Sequence, residues 1–119
     1  MGKHKPRRAI PRFVHPIFDT HCHLDYLDAS DLEATLQQSR EVGIERILTI
    51  AVSPANLDTV LQLASNNPMI WGTQGVHPHE AEGWNKDVAE TIKARLSQER
   101  IVAVGEIGLD YYYDHADRA

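Results

Sequence analysis

One cysteine, Cys22, stands among 119 residues, so no internal disulfide can staple this chain. No apolar run approaches the ~20 residues a transmembrane helix needs, and the N-terminus lacks the apolar core of a secretory signal. The pair Arg7-Arg8 is like a twin-arginine start only in the pair itself, because no hydrophobic stretch follows it. A cytoplasmic protein with no membrane partner is the expectation. The first 15 residues contain no acid while carrying Lys3, Lys5, Arg7, Arg8 and Arg12, which leaves 7 basic against 17 acidic residues in the remainder, a formal balance of −10. Such a body repels nucleic acid except where metals or local cations intervene. The basic stretch also lacks serine and is interrupted by Pro6 and Pro11, which argues against a targeting helix. Residues 1–15 therefore read as a disordered, solvated extension, with added phosphate contact as the alternative, and residues 16–119 as one domain.

What is present begins with His21-Cys22-His23, set after the short apolar segment Pro16-Ile17-Phe18 and followed by Asp25. Residues two apart in an extended strand project to one face, so both imidazoles point one way and Cys22 the other. Imidazole is the commonest side-chain ligand for zinc and similar ions, whereas the cysteine between the two is better explained by strand packing than by nucleophilic chemistry. His-x-His alone is a plausible accident in a chain with seven histidines. Two further segments change that. Gly75-Val76-His77-Pro78-His79-Glu80 follows Met69-Ile70-Trp71-Gly72, and Gly105-Glu106-Ile107-Gly108-Leu109-Asp110-Tyr111-Tyr112 follows Ile101-Val102-Ala103-Val104. Each places ionisable residues where an apolar run hands over to a loop.

The intervening sequence shows why those places should meet. Ser30 and Glu33 make a capping box ahead of Leu32 and Leu36, and Gly43 is placed to stop a helix over residues 30–42. Residues 46–51 have the β-branched content of a buried strand. Ser53-Pro54 reads as an N-cap and first-turn proline for a second helix with the stripe Leu57, Val60, Leu61, Ala64, ended by Asn66-Asn67-Pro68. Val88, Ile92 and Leu96 mark a third helix over residues 86–97, before a strand over residues 101–107. Strands starting near residues 16, 46, 69 and 101 thus alternate with helices, which implies parallel strands, right-handed crossovers and all strand C-termini at one edge. His21, His23, His77, His79 and Glu106 then share that edge, where barrels of β-α units build their active sites. Trp71 is expected in the core, and Trp84 with the tyrosines 111–113 either stacks on a nucleotide or packs on a following helix. His79 is expected to cap the loop before Glu80, with a side chain that supports the metal ligands as the alternative, and His115 to be a solvated loop histidine.

The run Phe18-Asp19-Thr20-His21-Cys22-His23-Leu24-Asp25, then Gly75-Val76-His77-Pro78-His79, then Gly105-Glu106-Ile107-Gly108-Leu109-Asp110-Tyr111-Tyr112 resembles the TatD family of metal-dependent deoxyribonucleases. Order and approximate spacing agree from about residue 16 to the end. The resemblance implies an α/β fold, the N-terminal half (about four β-α units) of an amidohydrolase-like TIM-type (β/α)8 barrel. It implies His21 and His23 as ligands of one metal and Glu106 as a ligand bridging a pair. His77 would contact substrate phosphate, while Asp110 and Tyr111 would line or support the site. The implied activity is hydrolysis of DNA phosphodiester bonds, largely from 3′ ends, with two divalent ions (Mg, Mn or Zn) per complete site.

A complete barrel needs about 250 residues, so this length accommodates the first four strands. Two further histidines and an aspartate that is both ligand and general base belong, by the resemblance, to later strands, and no catalytic residue is assignable here. Open strand edges, impaired activity and self-association through those edges are the resulting expectations. Two alternatives stand beside this reading. One is another His-x-His barrel hydrolase, such as a lactonase or cyclic amidase, whose carboxylated lysine would have to follow the fourth strand, where Glu106 stands. The other is a non-catalytic fragment with residual metal binding.

Overall fold

Helices cover one face of a four-stranded sheet in the computed structural model, which describes residue 6 and residues 8–117. Lys3, Lys5 and Arg7 of the basic segment lie outside the described residues. In chain order the elements are β1 (Ile17–Cys22), α1 (Ala29–Val42), β2 (Ile44–Thr49), α2 (Leu57–Asn66), β3 (Ile70–Gln74), α3 (Lys86–Arg95) and β4 (Ile101–Val104), with 3-10 turns at Leu24–Tyr26 and Pro78–Gly83. The strands are all parallel and lie in the order β1-β2-β3-β4. Among the described residues no helix is long and apolar enough to cross a membrane.

The two faces differ sharply. Ile47, Ile70 and Ile101 point to the helices and pack with Leu24, Leu36 and Ala64. Ala51, Leu57, Val60, Val76 and Ile92 form a second cluster. Burying such side chains stabilises the fold by about 1.5–3 kcal/mol each for Val, Leu or Ile. On the opposite face, the register pairs Phe18 with Arg46 and Leu48 with Trp71. Trp71, expected in the core, is half-buried there with the Arg46 guanidinium 5.7 Å from its ring, because strand alternation turns Ile70 and not Trp71 toward the helices.

Several element ends differ from those read in the sequence, each through a specific bond. The first helix is capped by Asp28 and not Ser30: Asp28 accepts the Asp31 N–H and the Ser30 hydroxyl, each at 2.9 Å. Those bonds lower the Asp28 carboxyl from its ordinary value, the backbone donor first. Gly43 ends the helix in the left-handed region (φ 98°), with Phe13 O only 3.3 Å from where a Cβ would sit. The Phe13 N–H donates to Val42 O at 2.9 Å, so the N-terminal segment is tied down there. Ser53-Pro54 forms a turn, and the second helix starts after Asn56, whose carboxamide accepts the N–H groups of Val52 (3.0 Å) and Ser53 (3.1 Å). The second strand ends at Thr49, the third helix at Arg95 and the fourth strand at Val104, all short of the expected limits. α3 is held by Arg95, which donates to the buried Gln74 Oε1 at 3.1 Å and pairs with Asp58 on α2.

Candidate metal centre

The strand C-termini converge as the alternation requires. His21 lies within β1, His23 follows its end, and Glu106 stands two residues beyond β4. One ligand atom from each of the three lies within 4.8 Å of the others. The strand parity survives: the two imidazoles face each other edge to face, ring centroids 5.2 Å apart. Glu106 sits between histidines from two strand ends, Oε2 at 3.6 Å from His21 Nε2 and Oε1 at 3.4 Å from His77 Nε2.

Hydrogen bonds fasten the loops that carry these groups. The Glu106 N–H donates to Ala51 O (2.9 Å) and the His77 N–H to Val52 O (2.7 Å), tying both to the loop after β2. The buried Thr73 hydroxyl donates to Gly105 O at 2.7 Å and accepts the Ala51 N–H at 3.1 Å. Gly75 is required by the same approach, since a Cβ there would lie 2.5 Å from the Gly105 carbonyl.

The partners of the imidazoles set their tautomers. His23 Nδ1 lies 3.2 Å from Ile50 O, which can only accept, so Nδ1 carries the proton and Nε2 keeps a free lone pair. His77 is the reverse. Its Nδ1 accepts the His79 N–H at 3.0 Å, which leaves the proton of the neutral ring on Nε2, facing Glu106. His23 can therefore offer an electron pair to a cation, whereas His77 is a donor suited to an anion. Cys22 turns away from both: its thiol donates to Leu48 O at 3.6 Å, and burial, followed by the charge of Asp19, pushes it up to about 12. It stays protonated and packs, as its place in the strand suggested.

Asp110 and Tyr111 are not in this group. Asp110 Oδ2 lies 2.7 Å from His79 Nε2, while Oδ1 accepts the N–H groups of Tyr112 (2.9 Å) and Tyr113 (3.0 Å). Those two N–H groups, Tyr113 first, and then His79 hold the carboxyl down to about 2. His79 is thus not the loop cap; His77 caps that turn, and the His79 side chain is tied to Asp110 instead. Tyr111 is 79% exposed on the rim of a neighbouring cavity. His115 is exposed, but its ring lies 4.4 Å from that of His79. Local sequence pattern was silent on the His79–Asp110 bond, which joins loops 31 residues apart. It was equally silent on Asn56 donating to Asp25 Oδ2 at 3.0 Å.

Comparison with known proteins identifies relatives of the chain. A family model described as TatD related DNase matches residues 18–119. The uncharacterized metal-dependent hydrolase YjjV of Escherichia coli (strain K12) is 37% identical over 108 residues, 88% of this chain and 40% of that protein. The 3'-5' ssDNA/RNA exonuclease TatD of Pantoea ananatis is 36% identical over 84 residues, 70% of this chain and 32% of that one. The crystal structure of YJJV, a TatD homolog from Escherichia coli K12, matches with a TM-score of 0.72 at 36% identity, over 82% of this chain and 39% of that one. The chain thus spans 40% or less of the length of each of these relatives. The sheet order and this likeness bear out the α/β expectation of the N-terminal units of a TIM-type barrel.

Proposed function

The chain belongs to the TatD-related DNase family, and from that membership we propose that it supplies the metal-binding side of a phosphodiesterase that hydrolyses DNA from 3′ ends. The observation that carries this reading is the meeting of His21, His23 and Glu106 ligand atoms within 4.8 Å. Two neutral imidazoles and a carboxylate are a donor set that zinc, manganese or magnesium can use, and the bond from His23 Nδ1 to Ile50 O leaves the lone pair of the neutral ring on Nε2. A divalent pair held there would polarise a phosphoryl oxygen and make a bound water acidic near neutral pH.

The protein's own groups divide the work. His21 and His23 would hold a cation without adding charge, and Glu106, which has one oxygen toward His21 and the other toward His77, would be the ligand shared by a pair of ions. The Nε2–H of His77 donates to a non-bridging phosphate oxygen. A body with an excess of acids makes these loops the place where a polyanion is tolerated. In the family pattern further ligands and the general base come from later strands, none of them among these 119 residues. On its own, this chain binds metal more weakly than a full ligand set would and hydrolyses little or no DNA.

Calorimetric titration of zinc or manganese tests the centre. The unaltered protein takes up metal and the His21→Ala, His23→Ala double variant does not; identical isotherms overturn the reading. Robust metal-dependent hydrolysis of single-stranded DNA by the purified 119-residue chain would contradict the statement about its activity.

A further inference from the structure

Next to the candidate metal centre is a second cavity of about 410 Å³, within the usual size of small-ligand sites, and His79 lines both. Four of its wall residues are large and turned to solvent: Trp84 is 53% exposed, Leu109 81%, Tyr111 79% and Tyr113 55%. Single exposed apolar residues need no explanation, but a concave set of them does. The walls are also held in place. The turn at Pro78–Gly83 leads directly into Trp84, and His79 from that turn grips Asp110 at 2.7 Å. Asp110 in turn holds the backbone of Tyr112 and Tyr113, and the Tyr113 ring meets His79 edge to face at 5.4 Å. The result is a slot of mostly apolar walls whose polar groups include the bonded His79–Asp110 pair, His115 and Asp117.

We propose that this cavity is a subsite for the unpaired nucleobase of the nucleotide whose phosphate is handled at His21, His23, Glu106 and His77. A planar heterocycle matches the slot in both respects, since its faces stack on aromatic rings irrespective of sequence and its edge carries hydrogen-bonding groups. Spacing supports the link between the two sites. The His77 and His79 rings are 4.4 Å apart, so a phosphate at His77 and a base beyond His79 are separated by one layer of side chains, about the reach of a single sugar. A base inside a duplex has both faces and its pairing edge occupied, so the slot admits single-stranded or frayed ends only. The phosphate half of this inference rests on the proposed function, whereas the base half does not.

Equilibrium dialysis of the full chain, with and without manganese, against deoxyadenosine 5′-monophosphate, deoxyribose 5-phosphate and inorganic phosphate tests it. The nucleotide is expected to bind about tenfold or more tightly than the base-free sugar phosphate, the scale of one base–aromatic stack. Trp84→Ala and Tyr111→Ala, both at exposed positions, should each reduce that ratio, while Trp84→Phe retains it. Equal affinity for nucleotide and sugar phosphate, or a ratio unmoved in both alanine variants, overturns the subsite. Base-dependent binding that persists in a protein showing no His21-dependent metal uptake supports the subsite and removes the metal-centre reading instead.

Discussion

Asp110 owes its charge to bonds that vanish if its loop unravels: the N–H groups of Tyr113 and Tyr112 favour the ionised form, with His79 adding to them. The folded carboxyl lies at about 2 against an ordinary 3.8. A group whose value is depressed on folding contributes its stabilisation above the unfolded value and loses it as pH falls through the folded one. Tyrosine fluorescence of residues 111–113 is therefore expected to change on acidification from about pH 4 to about pH 2, as the loop loses its anchor. In Asp110→Asn, which cannot titrate, that acid change should shrink; an unaltered profile would contradict the anchoring role. At this scale, what the sequence reveals is whatever local spacing controls. His21 and His23 come together because alternation carries through to the residue after β1, and Cys22 between them packs. The tautomers are different, since they depend on Ile50 O and the His79 N–H, and only the fold decides what stands beside an imidazole. His79 looks like a cap because it precedes an acidic residue, but its side chain is bound to Asp110 from another loop.

Among the elements, the ends of β3 and β4 approach closely where Gly75 meets Gly105, one residue before Glu106. A Cβ at position 75 would lie 2.5 Å from the Gly105 carbonyl carbon and oxygen and 2.8 Å from its Cα, and backbone cannot rotate out of the way. Gly75→Ala is expected to destabilise the protein by about 1–3 kcal/mol, the usual range for overpacking, and to weaken metal uptake by displacing Glu106. Gly72→Ala is the matched control. Its Cβ would meet Val60 Cγ1 at 2.9 Å on the helix side, so it should lower the melting temperature without changing metal affinity. Thermal unfolding alongside manganese calorimetry separates the two, and equal effects on metal affinity would contradict the juncture's role. The order of strands and helices was legible because apolar periodicity sets it, but their ends were not. Asp28 outcompetes Ser30 two residues away for the cap of α1, a choice between two good acceptors. Asn56, not Ser53, opens α2 because its carboxamide is also bound to Asp25 on the loop after β1, a contact no local pattern encodes.

For the whole molecule, the deciding feature is that helices cover only one face of a parallel sheet, an arrangement normally buried on both. Phe18 is 46% exposed on the other face, beside Arg46, Leu48 and Trp71, and Val102 is 52% exposed on the edge strand. Among the described residues β1 and β4 each pair on one side only, leaving rows of N–H and C=O groups that invite another chain. The purified 119-residue protein is therefore expected to associate. Two copies related by a two-fold axis could join their edges into eight strands, with both sets of His21, His23 and Glu106 at the same end, but strand stagger must then match at two seams. Unselective edge pairing has no such requirement, so light scattering should show polydisperse mass in place of a sharp dimer. Val102→Lys puts a charge on the β4 edge strand and should lower that mass while leaving metal uptake at His21 and His23 untouched. A stable, monodisperse monomer at working concentrations would contradict the reasoning from exposed edges, because both forms of association follow from the same unpaired strands.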